Sequence, residues 1–337
     1  MSGVQQITVD SAEADQRLDR WFKRRFPELT HGRLEKLLRT GQVRVDGKRA
    51  KASDRVAAGQ VLRIPPLGPS QDTGTEADGD RAVRVKAEVK VSDKDAAALR
   101  AAVLYKDPDV LVINKPAGLA VQGGTGLDKN LDAMLDVLKF DAAERPRLVH
   151  RLDRDTSGCL VLARSAKAAQ ALTAAFRHKE ARKVYWAVVV GAPKLDRGKI
   201  DAPLSKQPAK GGERVQIDEE EGRFAITHFT VIERAGKKAA WLALLPVTGR
   251  THQLRAHCVA LGTPILGDGK YAGQEAFVAR DELPNQMHLH ARSIRIPHPK
   301  RGWIAVEAPL PPHMQKTWKF FGFAPEPDHD PFAGLEL

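Results

Sequence analysis

The chain has 337 residues, of which 42% are apolar and 28% are charged, and it carries a net charge of +12 at pH 7. These values are typical of a globular protein long enough for a large domain and a smaller one, and the positive charge favours an acidic polymer as partner. The first residues lack the basic start and apolar core of a signal peptide, and the apolar stretches are too short to span a bilayer. We therefore expect a cytoplasmic protein without membrane contact.

Residues 15–67 are predicted to form a small separate domain. Apolar side chains recur at helical spacing in two segments, followed by a short strand, a turn at Asp46 and Gly47, and a second strand over residues 61–64. Residues 16–65 carry 14 Lys or Arg against 5 Asp or Glu. Solvation would explain one charged helix face, but one sign of charge across two successive helices favours contact with phosphates. The candidate RNA-binding residues here are Arg17, Arg20, Arg33, Lys36, Arg39 and Arg44.

This basic segment resembles the S4 RNA-binding domain. The resemblance rests on residues 17–19 (RLD), 33–38 (RLEKLL) and 41–47 (GQVRVDG), and it implies a small α/β domain that binds RNA. Residues 68–98 are predicted to be a flexible linker, because their first part, residues 68–80, is polar and has no large apolar side chain.

Residues 99–325 are predicted to form the main domain. Short apolar strands and helices are interspersed in it, without the regularly spaced glycine-rich crossovers of a doubly wound sheet. We expect an α+β fold, with a mixed, largely antiparallel sheet and flanking helices and loops. Thr251 is expected to cap a helix. The predicted strands include residues 103–105, 110–113, 159–163, 183–191, 241–247, 287–291 and 303–306, and the predicted helices are residues 131–139 and 166–177.

The densest polar stretch is residues 150–158 (HRLDRDTSG), which lead into an apolar strand. Most isolated Arg-x-Asp pairs are structural ion pairs, so a structural loop is the simpler interpretation. The alternative is an active-site loop with Asp153 as the nucleophile. Arg151 and Arg154 flank Asp153, and a nearby guanidinium lowers the pKa of a carboxyl group by roughly 1–3 units. Arg255 could supply a further partner from another segment.

A basic groove would suit an RNA substrate. Arg151, Arg154, Arg250 and His252 are the candidate RNA-binding residues of this domain. They would hold the chain while an unstacked nucleotide enters a pocket, with Tyr185 as its stacking face.

Five stretches of this domain together resemble the RluA-type pseudouridine synthases. That resemblance implies an isomerase that breaks the N-glycosidic bond of a uridine, rotates the base and rejoins it through carbon 5. By the same resemblance Asp153 is the catalytic aspartate, Tyr185 contacts the base and assists proton removal from carbon 5, Arg255 forms an ion pair with Asp153, and Arg151 fills the space left by the flipped nucleotide. The stretches are residues 114–118 (NKPAG), 150–158, 183–187 (KVYWA), 248–255 (TGRTHQLR) and 264–268 (PILGD).

The substrate implied by the resemblance is 23S rRNA. Residues 120–126 (AVQGGTG) are similar to a loop of the C-type large-subunit enzymes, which modify several separated uridines. A D-type 23S rRNA synthase, a synthase acting on tRNA or small-subunit rRNA, and a non-catalytic ribosome-assembly factor stay open as alternatives. The expected partner is 23S rRNA or a large-subunit assembly intermediate, and a monomer is expected although the sequence leaves the oligomeric state open.

No cofactor or metal is expected, because the implied reaction needs neither a redox step nor hydrolysis. His288 and His290 lie on one face of a predicted strand, but no third ligand stands at a suitable spacing, so core or RNA-facing histidines are the better interpretation. Cys159 and Cys258 are expected to be buried thiols in a reducing compartment.

Overall fold

The computed structural model describes residues 4–67, 91–123, 129–209, 212–278 and 282–335. These residues belong to two compact units, Met1–Arg84 and Val85–Leu337. Most of the predicted linker, residues 68–98, lies outside the described residues, as do residues 124–126 of the predicted loop 120–126. No helix in the described part of the chain is both long and apolar enough to cross a bilayer.

The first unit combines two helices with a three-stranded antiparallel sheet in the order β1-β3-β2. Its core joins apolar side chains of both helices, Trp21 and Leu34 among them, to Leu62 and Ile64 of the sheet. Asp46 and Gly47 both have positive φ in the tight turn, which explains the Asp-Gly sequence there. The elements are β1 (Gln5–Thr8), a 3-10 turn (Ser11–Glu13), α1 (Leu18–Arg25), α2 (His31–Arg39), β2 (Arg44–Val45) and β3 (Val61–Ile64).

The second unit alternates helices and strands along the chain. Its helices are α3 (Asp93–Ala101), α4 (Leu131–Met134), α5 (Ala166–Arg177), α6 (Gln253–Ala260), α7 (Gly269–Ala272) and α8 (Pro312–Phe321), with 3-10 turns at Leu135–Leu138 and Gly273–Ala276. Its strands are β4 (Val103–Lys106), β5 (Val110–Lys115), β6 (Arg147–Leu148), β7 (Ser157–Ala163), β8 (Arg182–Val190), β9 (Arg197–Asp201), β10 (Leu204–Ala209), β11 (Gly212–Ile217), β12 (Ile226–Ala235), β13 (Ala239–Pro246), β14 (Leu289–Pro297) and β15 (Trp303–Glu307).

One mixed sheet of ten strands organises this unit. Eight strands follow the order β4-β5-β7-β14-β8-β13-β12-β9, while β15 pairs with β14 and β6 pairs with β7. The β7–β14 pair is parallel and the other pairs in this sheet are antiparallel. The predicted α+β fold with a largely antiparallel sheet is therefore confirmed.

Strand β7 lies at the centre of the sheet and leads directly from the polar stretch 150–158. All its residues are buried, which agrees with its near-continuous apolar sequence. Gly158 has a φ of +107°, and a Cβ atom there would stand 2.3 Å from the carbonyl oxygen of Ala291 in β14. Only glycine fits this close approach of two backbones, so Gly158 fixes how β7 and the loop before it meet β14.

Two sequence-based predictions on local structure need correction, and several elements lie outside the predictions. Helix α3 begins at Asp93, inside the predicted linker, where Ser92 accepts a hydrogen bond from the backbone N–H of Asp95 and caps the helix. Helix α6 is not capped by Thr251, because His252 occupies the N-cap position with a left-handed φ of +50°. The sequence patterns do not predict strands β1, β6 and β9 to β12, or helices α7 and α8.

The two histidines and two cysteines expected in the core are buried, whereas Trp303, also expected there, is 54% exposed. His288 and His290 are fully buried, and each ring is hydrogen-bonded within the core, His290 to Ser157 Oγ at 2.8 Å and to the Ala308 carbonyl at 3.1 Å. Cys159 and Cys258 are both buried free thiols.

Candidate active site

A cavity of about 710 Å³ opens on the second unit, where three of the singled-out stretches meet. The loop before β7, the middle of β8 and the segment from β13 into α6 supply most of its lining. The lining includes six of the residues singled out from the sequence: Arg151, Asp153, Tyr185, Arg250, His252 and Arg255. The topology explains the meeting, because β7 and β8 both pair with β14 at the centre of the sheet.

Asp153 lies at the bottom of the loop that precedes β7. The loop turns there, since the N–H of Thr156 donates to the Asp153 carbonyl at 3.2 Å. The Asp153 side chain is 27% exposed, and its Oδ1 lies 3.8 Å from Nε2 of His252. A carboxylate that is sheltered yet reachable from a cavity is placed to act on a bound group.

Burial raises the pKa of Asp153 above its usual value, although the charges of Arg255 and Arg151 act in the opposite direction. The prediction that flanking guanidiniums keep the pKa of this carboxyl group low is therefore wrong. Arg151 is exposed to solvent, so its charge is screened, whereas the loss of hydration at Asp153 is not compensated by a direct ion pair.

Arg255 forms its ion pair with Asp268, and not with Asp153 as expected. Its Nε and Nη2 atoms donate to Oδ2 and Oδ1 of Asp268 at 2.7 and 2.6 Å, in a bidentate pair. The two side chains are only 6% and 1% exposed. Arg255 acts on Asp153 through space, as the strongest of the charges that lower its pKa. The guanidinium also lies over the ring of Tyr271, 4.7 Å from its centroid.

His252 presents one ring nitrogen to Asp153 and the other to Tyr271. The Tyr271 hydroxyl accepts a hydrogen bond from the backbone N–H of Val215 at 3.1 Å and lies 2.9 Å from Nδ1 of His252. Burial lowers the pKa of His252 to about 4, so the ring is neutral at pH 7. The Tyr271 hydroxyl and Nδ1 of His252 share this hydrogen bond, while Nε2 faces Asp153 Oδ1 at 3.8 Å.

Tyr185 and Lys115 complete the surroundings of Asp153. Burial, and then the charge of Asp153, raise the pKa of Tyr185, so its hydroxyl keeps its proton at ordinary pH. Lys115 is fully buried and its Nζ donates to the carbonyls of Pro116, Leu119 and Arg154 at 2.7–2.9 Å. Burial lowers the pKa of Lys115 to about 8. This ammonium group ties the stretch 114–118 to the loop that carries Asp153.

The other predicted RNA-binding residues are placed differently. Arg154 is exposed and pairs with Asp155 at 3.1 Å, and it is not among the residues that line the cavity. In the first unit Arg17 pairs with Asp19 at 2.6 Å, and Arg44 donates to the carbonyls of Gly41 and Gly47. The three remaining residues with exposed side chains there are Arg20, Lys36 and Arg39, while Arg33 is half-buried.

One group of three potential metal ligands, Asp107, Asp109 and His298, occurs in the described part of the chain. Asp107 already accepts hydrogen bonds from the Tyr105 hydroxyl at 2.6 Å and from His298 Nε2 at 3.0 Å. Asp109 pairs with Lys300 at 2.7 Å. The group lies away from the cavity lining and is satisfied by protein partners, so it fits a structural role.

Three residues that position the site lie within the five motif stretches, but the sequence predicts no role for them. Lys115 stands in 114–118, Asp268 ends 264–268, and Gln253 stands in 248–255. The Gln253 amide accepts from Thr248 Oγ1 and donates to the Ile226 carbonyl, which fixes the start of α6 against β12. A charged or amide side chain inside an otherwise apolar segment is the sequence feature that could have identified them, because such a group must find a partner when it is buried.

Each of the two units matches a known protein family. Residues 109–260 match the family model described as RNA pseudouridylate synthase, and residues 16–62 match the S4 domain. The first match contains Asp153, Tyr185 and Arg255 and every residue of the cavity lining except Leu289.

Several known proteins are similar to the chain over most of its length. It is 35% identical to ribosomal large subunit pseudouridine synthase C of Vibrio vulnificus, covering 93% of this chain and 95% of that protein. It is 36% identical to the mitochondrial RNA pseudouridine synthase 4 of Arabidopsis thaliana, covering 89% and 78%. The solved structure of human RNA pseudouridylate synthase domain containing 4 is similar with a TM-score of 0.57 and 28% identity, covering 67% of this chain and 95% of that one.

Proposed function

Because the chain belongs to the RNA pseudouridylate synthase family, we propose that it isomerises specific uridines of 23S rRNA with the Asp153 carboxylate as nucleophile. The observation that carries the proposal is the sheltered carboxylate in a basic cavity, next to Tyr185 and within reach of the Arg255 charge. A cytoplasmic location, where the protein would meet this substrate, is part of the same proposal.

The chemistry needs only groups that this cavity supplies. The bond from C1′ to N1 breaks, a bond from C1′ to C5 forms, C5 loses a proton and N1 gains one, so the product is an isomer of the substrate. The Asp153 carboxylate acts as the nucleophile: its electron pair forms a temporary bond to the substrate after the C1′–N1 bond breaks, and that bond breaks again when the product is complete. The charges of Arg255 and Arg151 favour the anionic carboxylate, while Lys115 and Gln253 hold the two loops in position.

The choice of 23S rRNA rests on the relatives and on one loop. The Vibrio vulnificus relative is named as a large-subunit synthase of the C type. Gln122, from the loop similar to that of the C-type enzymes, lines the cavity and could contact the substrate. The S4-like unit supports an RNA substrate of any kind, so the D-type, tRNA and small-subunit alternatives are separated only by site mapping.

Mapping pseudouridine in all cellular RNA from a deletion strain tests the substrate. We expect several positions of 23S rRNA to lose pseudouridine, and the wild-type gene to restore them. Loss confined to one 23S stem-loop would favour the D type, and loss in tRNA or small-subunit rRNA would overturn the 23S assignment. An unchanged map with a ribosome-assembly defect would favour a non-catalytic assembly factor.

We expect Tyr185→Phe to lower turnover by about 10²-fold, within the range of general acid–base effects, while RNA affinity is kept. The raised pKa keeps the Tyr185 hydroxyl protonated, so it acts on the C5 proton only if it passes its own proton onward. Phenylalanine keeps the ring and removes that route. Single-turnover rates measure the effect, with Tyr105→Phe, outside the cavity, as control. Equal loss of affinity and rate would instead indicate a purely binding role.

The raised pKa of Asp153 predicts an early loss of activity on acidification. Turnover requires the Asp153 carboxylate in its anionic form. Because the pKa of Asp153 lies above the ordinary value of 3.8, turnover falls at a higher pH than it would for an ordinary aspartate. Arg151→Gln removes a charge that lowers this pKa, and should move the acid limb to still higher pH. A pH–rate profile of both proteins checks this. A shift of the Arg151→Gln limb to lower pH would contradict the assignment of that limb to Asp153. The charged and titratable groups that face Asp153 are Arg255, Arg151, Asp268, Lys115 and His252.

The exposed cations of the first unit should govern the salt dependence of RNA binding. Replacing Arg20, Lys36 and Arg39 by glutamine in the full chain should lower the slope of log affinity against log salt by about 2 to 3, at about 0.7–0.9 for each phosphate contact. Filter binding between 50 and 300 mM salt, roughly the range over which such slopes are resolved, measures it. Substitution of Lys237 and Lys238, exposed in a turn of the second unit, is the control. An unchanged slope in the triple variant would remove the docking role.

A further inference from the structure

We propose that Phe224 is a stacking platform for a nucleobase next to the target uridine, and that Lys179 and Arg250 bind the phosphates of the same strand. The proposal rests on the proposed function for its RNA substrate, and it adds a second contact site outside the cavity. Phe224 does not line the cavity itself, but two residues of the cavity lining contact it, so it lies at the rim.

The Phe224 ring is held outward by the backbone on both sides of it. On one side Arg223 and Leu204 exchange two backbone hydrogen bonds of 2.8 and 2.9 Å. On the other side Ala225 is fully buried and its carbonyl accepts from the N–H of Ala202 at 3.2 Å. The chain is therefore anchored before and after Phe224, while the ring between the anchors is 53% exposed.

Two cations that line the cavity also contact this residue. The Nζ atom of Lys179 lies 6.0 Å from the centroid of the Phe224 ring, and Nε of Arg250 donates to the Phe224 carbonyl at 3.1 Å. Lys179 follows α5 and Arg250 precedes α6, so the two side chains reach Phe224 from different segments of the cavity lining, Lys179 at the ring and Arg250 at the backbone carbonyl. Both side chains are exposed, and each could reach a phosphate.

An RNA strand is the occupant that this combination favours. A flat apolar ring in a residue that two solvent-exposed cations contact matches the alternating bases and phosphates of an unpaired strand. A base beside the target loses its stacking neighbour when the uridine enters the cavity, and an exposed aromatic face offers a replacement. An apolar protein segment would leave the two cations without partners at the same rim.

A second exposed phenylalanine shows what distinguishes Phe224. Phe140 is 41% exposed and has Nζ of Lys106 4.7 Å from its centroid. Neither Phe140 nor Lys106 lines the cavity. Single exposed apolar residues are common on protein surfaces, so the contact with two cavity-lining cations is the distinguishing feature. Phe140 is therefore a matched control in the same unit.

The test uses the full chain and an unmodified 23S rRNA transcript. Phe224→Ala should raise the RNA concentration for half-maximal rate by about 10-fold, the scale of losing one stacked base, with the rate at saturation little changed. Phe224→Trp should restore affinity, and RNA should quench its added fluorescence beyond the change seen in the wild type. Phe140→Ala should behave as the wild type in both measurements.

Each outcome decides the proposal. Equal affinity in Phe224→Ala and Phe140→Ala, or an unquenched tryptophan at 224, would overturn it. A loss in Phe224→Ala that tryptophan does not restore, together with a lower melting temperature, would show a structural role and overturn it as well. If the wild type bound the transcript but formed no pseudouridine, the proposed function would fail, while quenching at position 224 would still support the platform.

Discussion

Arg255→Met is expected to destabilise the protein by about 3–5 kcal/mol, the range for a buried ion pair that loses one partner. The Asp268 side chain is 1% exposed, and both of its oxygens accept from Arg255. Methionine fills a similar volume but leaves that carboxylate buried without its cation. Denaturant unfolding followed by tryptophan fluorescence measures the loss, since Trp186, Trp241 and Trp318 are buried in the same unit.

A double-mutant cycle separates the pair from simple packing loss. Asp268→Leu together with Arg255→Met should be more stable than the sum of the two single changes predicts, because neither charge is then left unpaired. Additive losses would contradict the assigned pairing. Wild-type stability of Arg255→Met alone would contradict it directly.

Asp153→Asn is expected to lower turnover by at least about 10³-fold, the lower end of what removal of a nucleophile costs, while RNA affinity is kept. The same change should stabilise the protein at neutral pH. A carboxyl group whose pKa is raised by folding adds its full stability only below the unfolded pKa of about 3.9, and that contribution is lost as the pH rises through the folded value. At neutral pH the anion therefore costs stability, and asparagine removes this cost.

Melting curves at several pH values check the second half of this prediction. The melting temperature of Asp153→Asn should exceed that of the wild type at pH 7, by about 2–4 °C for each kcal/mol gained, and the difference should vanish near pH 4, about the unfolded pKa. Asp155→Asn, a change at the neighbouring exposed pair with Arg154, is a suitable control. A lower melting temperature for Asp153→Asn at pH 7 would contradict a raised pKa.

Much of the fold follows from local sequence patterns. The helix predicted over residues 166–177 has the same bounds as α5, and the apolar run 159–163 lies within the buried strand β7. These elements bury large apolar surfaces at a regular period, so local pattern and tertiary packing agree. The β9–β11 region was missed because its strands are short and mostly polar, which leaves little periodic signal.

The electrostatics of the site could not be predicted in the same way. Arg255 lies near both Asp153 and Asp268, which come from different loops. The sequence does not reveal which of the two carboxylates forms the ion pair with Arg255. The direction of the Asp153 pKa depends on how much water the fold removes, which a flanking arginine does not reveal. The left-handed His252 was equally hidden, since its φ of +50° depends on the turn between β13 and α6.

Incubating unmodified 23S rRNA with the wild-type protein and with Asp153→Asn, then mapping pseudouridine at single-nucleotide resolution, tests the central claim most directly. We expect pseudouridine at several positions with the wild type and none with the folded, RNA-binding variant. Pseudouridine at the same positions and at a similar rate with Asp153→Asn would contradict the role of this carboxylate.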